Sequence, residues 1–312
     1  MISAMHNSRK HGSDLVSYVK YGIGRVKRVF QEGSSDAVMH YGGFKVWQRE
    51  LAEMGFGNLG TIRMLDVGCG DRAPLAVMFA TSGAAVEAID LLPVRVSWQR
   101  PWMWLACARQ RGWTSAVRQA GRDTLHTWRY WHELRRLMGA PLAWTRITFR
   151  KMDAERLRFP DSAFDVVYSS AVWEHVGDVR RATREVNRVL SPAGIAVIQI
   201  ALFPALTGGH HAEWHTVALS AKRDIRPWDH LRAGARPLPL YCNGWREAQY
   251  VRVFEEEMEI QRWDSGPLAG KQYLTPELSR ELRAYSERDL LLPWITVWAR
   301  KRRETQRSSA DE

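Results

Sequence analysis

One stretch, Thr61 to Asp90 (TIRMLDVGCGDRAPLAVMFATSGAAVEAID), constrains this chain more than any other. It opens on a short apolar run, Met64-Leu65-Asp66-Val67, and breaks into Gly68-Cys69-Gly70-Asp71. A helical pattern follows, with Leu75, Met78 and Phe79 on one face and Gly83 as its stop, and then a second apolar run ends in Asp90. The order is strand, glycine turn, helix, strand: a βαβ unit with a carboxylate at the tip of its second strand. Glycines in such a turn let backbone approach a ligand where a Cβ would collide. Asp90, about 20 residues past the turn, is placed to accept hydrogen bonds from a ribose diol. The unit therefore points to a ligand that contains a nucleoside.

Two ligand classes compete for it. Gly68-Cys69-Gly70-Asp71-Arg72-Ala73 fits the dinucleotide fingerprint G-x-G-x-x-A. Asp66 argues against that reading. A carboxylate two residues before the first glycine lies at the carboxyl end of the strand, facing the ligand. There it repels a pyrophosphate and attracts a cation.

Farther along, a second series falls in register. Ile147–Lys151 reads as a strand running into Asp153-Ala154, followed by Leu157 and Phe159-Pro160-Asp161. Phe164-Asp165 leads into a buried strand, Val166 to Ser170, and then to Glu174-His175-Val176. Asp178 is a natural N-cap for a helix with Val179, Ala182, Val186, Val189 and Leu190 inward. Ser191-Pro192-Ala193-Gly194 turns into the strand Ile195–Ile200. Trp245–Met258 reads as a helix, Glu259–Trp263 as a strand, Thr275–Leu290 as one capped helix, and 295–301 as a last strand.

Together these features resemble the class I S-adenosylmethionine-dependent methyltransferases, with L-D-V-G-C-G as their first motif and residues 153–194 as the second half of their core. The resemblance covers about 60–200 well and 245–300 loosely. It implies a Rossmann-like α/β fold: a seven-stranded, mostly parallel sheet with an antiparallel last strand, plus helical and loop inserts. It also implies S-adenosylmethionine as cofactor, a donor with a sulfonium and an ammonium and no phosphate. Carried over by position, the cofactor residues are Asp66, Gly68, Cys69, Gly70, Arg72, Asp90, Leu91, Asp153, Ala154 and Ser169. Asp90 would bind the ribose, Asp153 the adenine amino group with the Ala154 backbone beside it, and Ser169 would line the methionine end. Asp165 is read as a turn acid. Arg72 departs from the family, which most often has a third glycine there, and brings a guanidinium near the methionine carboxylate.

Size and charge bound the rest. At 312 residues the chain is long for one domain and short for two. The expectation is one methyltransferase domain over 1–312. Its parts are N-terminal helices to 59, a core over 60–96 and 147–202, an insert at 97–146, a loop insert at 203–244, core completion over 245–301, and a tail. Residues 1–13 are polar and basic, unlike a secretory signal, and 14–30 suggest a short basic amphipathic helix. No run of about 18 apolar residues exists to span a membrane. The cysteines Cys69, Cys107 and Cys242 are scattered, without C-x-x-C, which suits a reducing cytoplasm and offers neither a disulfide framework nor a zinc cluster. The formal charge is +11, and the insert 97–146, with nine arginines against Asp123 and Glu133, holds +7 of it along with seven of the fifteen tryptophans. Leu125, Trp128, Trp131, Leu134 and Met138 recur at helical spacing. The insert reads as a helical lid whose aromatic stripe packs on the domain, its arginines either solvated or facing an anionic acceptor. Docking on RNA or on a membrane surface is the further alternative.

Methyl transfer from a sulfonium is an in-line displacement, which asks the protein to align the reactants and exclude water. A hydroxyl acceptor also needs its proton removed. Candidates are Glu174 and His175 after a core strand, and His210 and His211 behind the Gly208-Gly209 pair, with His211 the first choice. His211 and His215 have i, i+4 spacing, but no third ligand is evident and no metal is expected. The acceptor read from all this is a small molecule or saccharide. A nucleic acid, a nicotinamide-dependent oxidoreductase and a non-catalytic donor-binding protein are the rivals.

Overall fold

The computed structural model describes residues 31–70, 72–91, 113–211, 214, 225–238 and 240–302. The basic helix expected over 14–30, residues 97–112 of the insert with Cys107, and His215 lie outside the described residues. The chain divides into two compact units: 1–58, 77–82 and 95–144 in the first, and 59–76, 83–94 and 145–312 in the second.

The first unit is helical. Its helices are α1 over residues 31–51, the last turns of α2 (Pro74–Thr81), and α3 (Trp113–Met138). Helix α3 begins a dozen residues before the periodicity becomes legible. Gly33 of α1 sits so close to α3 that a Cβ there would meet the His126 carbonyl at 2.7 Å. Around this crossing Asp36 pairs with His126 at 3.2 Å, and His40 Nδ1 lies 2.8 Å from the buried Tyr130 hydroxyl. Phe44 stands edge-on to Phe79 of α2, with ring centroids 5.1 Å apart. Trp131 packs edge-on against Trp144 in the same way. Trp131 is half-buried, while Trp113, Trp128 and Trp144 remain exposed.

The second unit is built on a seven-stranded sheet. Its strands are β1 (Arg63–Val67), β2 (Ala85–Asp90), β3 (Ile147–Lys151), β4 (Phe164–Ser170), β5 (Leu190–Ala201), β6 (Glu259–Ser265) and β7 (Trp294–Arg300), in the order β3-β2-β1-β4-β5-β7-β6. Strand β7 runs antiparallel to both neighbours, and the other pairings are parallel. Strand β1 is buried from Met64 to Val67, as a central parallel strand with covered faces must be. Asp165 ties β4 to β1, accepting from the Arg63 backbone N–H at 3.0 Å and from its guanidinium. Read from the sequence as a turn acid, Asp165 lies within β4 and joins two strands.

Helix α4 (Val179–Val189) starts where expected, with the Asp178 side chain accepting from Arg181 N–H at 2.9 Å. Val179, Ala182, Val186 and Val189 are buried on the sheet. Burying each valine is worth roughly 1.5–3 kcal/mol. Helix α5 (Glu247–Glu257) follows the same logic with Tyr250, Val253 and Phe254. The helix expected over 275–290 is two: α6 (Pro276–Glu281), capped by Thr275, and α7 (Glu287–Leu291), capped by Ser286. A competing cap inside one apolar period splits it.

Candidate active site

The donor end of the site forms at the carboxyl ends of β1 and β2. Gly68 and Cys69 donate to the Ile89 carbonyl at 2.8 and 3.0 Å, folding the turn back over the end of β2. Gly68 and Gly70 have φ of 72° and 70°, a region side chains avoid. Their reasons differ. A Cβ on Gly68 would strike Val172 Cγ2 at 2.2 Å, whereas one on Gly70 would meet nothing within 4 Å. Gly68 is glycine because the loop after β4 presses on it; Gly70 faces open space. The Gly70 N–H donates to Asp90 Oδ2 at 2.9 Å, so the turn and Asp90 are fixed to one another.

Asp66 lies beneath this turn, 4 % exposed. Burial pushes its carboxyl up to about 7, and the charge of Asp90 adds to this while the Ala76 N–H opposes it. A cation arriving here restores the carboxylate, as a sulfonium–ammonium donor would and a pyrophosphate would not. The residues present therefore fit S-adenosylmethionine. Beside Asp90, whose carbonyl accepts Met152 N–H at 3.0 Å, come Asp153 and Ala154. Asp153 is exposed and accepts Glu155 N–H at 2.9 Å; Ala154 is buried. Ser169 is fully buried and donates to the Val67 carbonyl at 2.8 Å, supporting the strand ends from within. Arg72 is half-buried at the start of α2, and Leu91 is exposed just after Asp90.

The second end lies past β4 and β5. Glu174 and His175 fall on a 3-10 turn, Trp173–His175, anchored by the buried Trp173 indole donating to Thr183 at 3.2 Å. Glu174 is 1 % exposed, and neither carboxylate oxygen has a hydrogen-bond partner. Burial pushes its carboxyl up to about 8; the N–H groups of Glu174 and Ala201 pull the other way without closing a well-formed bond. The His175 ring lies 4.7 Å from that of His210 and approaches Glu174 Oε1 at 4.0 Å. His210 holds φ 52°, so the strain in this loop sits on the histidine. Gly208 and Gly209 are close-packed, with Cβ positions 2.0 Å from the Phe203 carbonyl and 2.7 Å from His230 Nδ1.

His211 points elsewhere. Its Nε2 is buried without a hydrogen-bond partner, and its ring acts electrostatically on Asp229 and His230. Burial pulls His230 down to about 4, which keeps it neutral while Nε2–H donates to the Phe203 carbonyl at 2.8 Å. The structure thus brings Glu174, His175 and His210 together.

Two residues that sequence reasoning passed over complete the group. Cys242 Sγ lies 3.8 Å from His175 Nδ1, and burial together with the charge of Glu174 pushes its thiol up to about 11. Asn243 staples the two loops, donating N–H to the Glu174 carbonyl at 2.8 Å and its amide to the Trp173 carbonyl at 2.8 Å. The Asn243-Gly244 dipeptide was a legible turn signal; a lone cysteine carried none.

A family described as "Methyltransferase domain" matches residues 113–198. An uncharacterized protein of Escherichia coli K12, YafE, is 37% identical over 86 residues, covering 28% of this chain and 39% of that protein. An uncharacterized methyltransferase of Bacillus subtilis 168, YcgJ, is 44% identical over 48 residues, covering 15% and 19%. The chain thus spans well under half the length of these curated relatives. Among solved structures, a putative sarcosine dimethylglycine methyltransferase from Galdieria sulphuraria aligns at TM-score 0.47 and 17% identity, covering 83% of this chain and 85% of that one. The sheet order with β7 reversed is that of a Rossmann-like methyltransferase fold, and the domain match over residues 113–198 points to S-adenosylmethionine as cofactor.

Proposed function

We propose that this chain transfers the methyl group of S-adenosylmethionine to a hydroxyl of a small-molecule or saccharide acceptor. The observation that carries the donor half is the pair of carboxylates around an open glycine turn, Asp66 beneath and Asp90 beside Gly70. Nothing in that arrangement suits a phosphate, and both acids suit a cationic nucleoside. The acceptor half rests on Glu174, His175 and His210, gathered beyond β4 and β5, where open α/β sheets receive ligands. An acceptor hydroxyl loses its proton to this group as the carbon–oxygen bond forms and the sulfonium leaves as a neutral thioether. Displacement then needs alignment and exclusion of water more than any covalent help from the protein.

A screen of sugars and small hydroxylated metabolites with methyl-labelled donor tests the reading. Label transfer to such an acceptor, lost in His210→Ala with donor binding kept, is the expected result. Calorimetry that shows heat with NAD and none with S-adenosylhomocysteine would overturn the donor assignment. Submicromolar RNA binding with a steep salt dependence would move the acceptor to nucleic acid.

A further inference from the structure

We propose that His175, His210 and Cys242, with Glu174 as the fourth group, form a binding site for a zinc-class divalent cation. Ligand atoms of the first three all lie within 4.8 Å of one another, and each residue is half-buried, reachable from solvent. Tetrahedral zinc, with bonds of about 2.0–2.3 Å, spaces its ligands roughly 3.3–3.8 Å apart. At up to 4.8 Å, the widest pair among these three needs to close by about 1 Å. His210 and Cys242 stand on loops, where side-chain rotation supplies such a movement.

Glu174 is the independent sign that something is to be bound. It is 1 % exposed, neither oxygen has a hydrogen-bond partner, and Oε1 lies 4.0 Å from His175 Nε2. A carboxylate buried this way is costly unless a cation joins it. A divalent ion held by one thiolate and one carboxylate is a neutral unit, which removes that cost. The surroundings have the form of a ligand-orienting layer. His175 Nδ1 lies 2.6 Å from the Tyr241 carbonyl, which fixes Nδ1–H as the donor and leaves Nε2 with the lone pair, on the side of Glu174. Asn243 clamps the segments that carry His175 and Cys242. Two imidazoles and a thiolate select a borderline metal such as zinc; magnesium and calcium prefer oxygen ligands.

Binding exchanges protons for metal: the Cys242 thiol proton, and that of Glu174 where it is protonated, pass to solvent as the metal–ligand bonds form. The site stands on its own geometry. Only its use in the reaction rests on the methyltransferase reading: with the ion bound, an acceptor hydroxyl entering as a fifth ligand would be acidified by it and give its proton to solvent water, in place of direct transfer to these side chains.

The test is titration of the chelator-treated full chain with Co2+ under reducing, oxygen-free conditions. One equivalent should bind, with the visible bands of four-coordinate cobalt and a near-ultraviolet thiolate-to-cobalt band. Cys242→Ser should lose the thiolate band while keeping bound cobalt. His210→Ala should weaken binding more than about 100-fold, beyond the 10–100-fold typical of outer-layer changes. Calorimetry with S-adenosylhomocysteine on the same samples should be unchanged, which also shows that the variants are folded. Loss of that heat alone would sink the donor reading and leave the metal site standing. Absence of a thiolate band at one equivalent, or equal uptake by the Cys242→Ser, His210→Ala double variant, would overturn the proposal.

Discussion

Asp66 makes donor binding a titration. Its carboxyl stands at about 7 in the folded chain against an ordinary value of 3.8, with burial the main cause. Below pH 7 it is mostly neutral and attracts a cation weakly. A donor that prefers the ionised form must first displace the proton. Its apparent dissociation constant therefore rises by about a factor of 11 at pH 6 and about 100 at pH 5, relative to the high-pH limit. Calorimetry with S-adenosylmethionine between pH 5.5 and 8, in buffers of different ionisation enthalpy, should show this slope and about one proton released on binding near pH 6. Asp66→Asn should flatten the slope and weaken binding at pH 8.

The same shift predicts an opposite effect on stability without donor. A carboxyl raised by folding contributes stability that is fully present below its unfolded value of 3.8 and is lost as pH rises through about 7. Three pH units correspond to roughly 4 kcal/mol. Asp66→Asn should therefore melt higher than the parent at pH 8 and not at pH 4, while binding donor worse. Binding by the parent that is flat from pH 5.5 to 8, or a variant that melts lower at pH 8, would refute the reasoning.

Four further predictions follow from the geometry. Gly68→Ala meets both a left-handed φ and the Val172 side chain at 2.2 Å, a loss of roughly 2–5 kcal/mol in a denaturant titration, partly rescued by Val172→Ala. Gly70→Ala meets only the φ cost, roughly 1–2 kcal/mol, yet should weaken donor binding, because its methyl enters the open cradle. Asp178→Ala should cost about 1 kcal/mol by removing the cap at Arg181 N–H. In single-turnover assays with an acceptor in hand, His210→Ala should slow transfer about 100-fold, whereas His211→Ala stays within a few-fold because its ring is turned toward Asp229 and His230.

The core was legible because its signals are local. Apolar runs mark β1 and β4, the Asp178 cap marks α4, and the glycine turn lies between two strands that pair directly. Reading failed where two local signals compete, as at Ser286, or where packing chose the residue. Gly208 and Gly209 are small because Phe203 and His230 press on them. A sequence shows a glycine and not the neighbour that requires it.

The acceptor end was illegible for a different reason. His175, His210 and Cys242 come from three loops, and no spacing rule joins positions so far apart; the sheet joins them by ending β4 and β5 side by side and returning the chain before α5. What identifies the place physically is a pattern shared by both ends of the site. Asp66 and Glu174 are both buried carboxyls at the carboxyl edge of the same sheet, and among the described residues neither has a lysine or arginine partner. A chain seldom keeps such groups for stability, since an apolar residue of the same shape would serve better. Each makes sense as one half of a pair whose positive half arrives from outside: the sulfonium donor at Asp66, and a metal ion at Glu174.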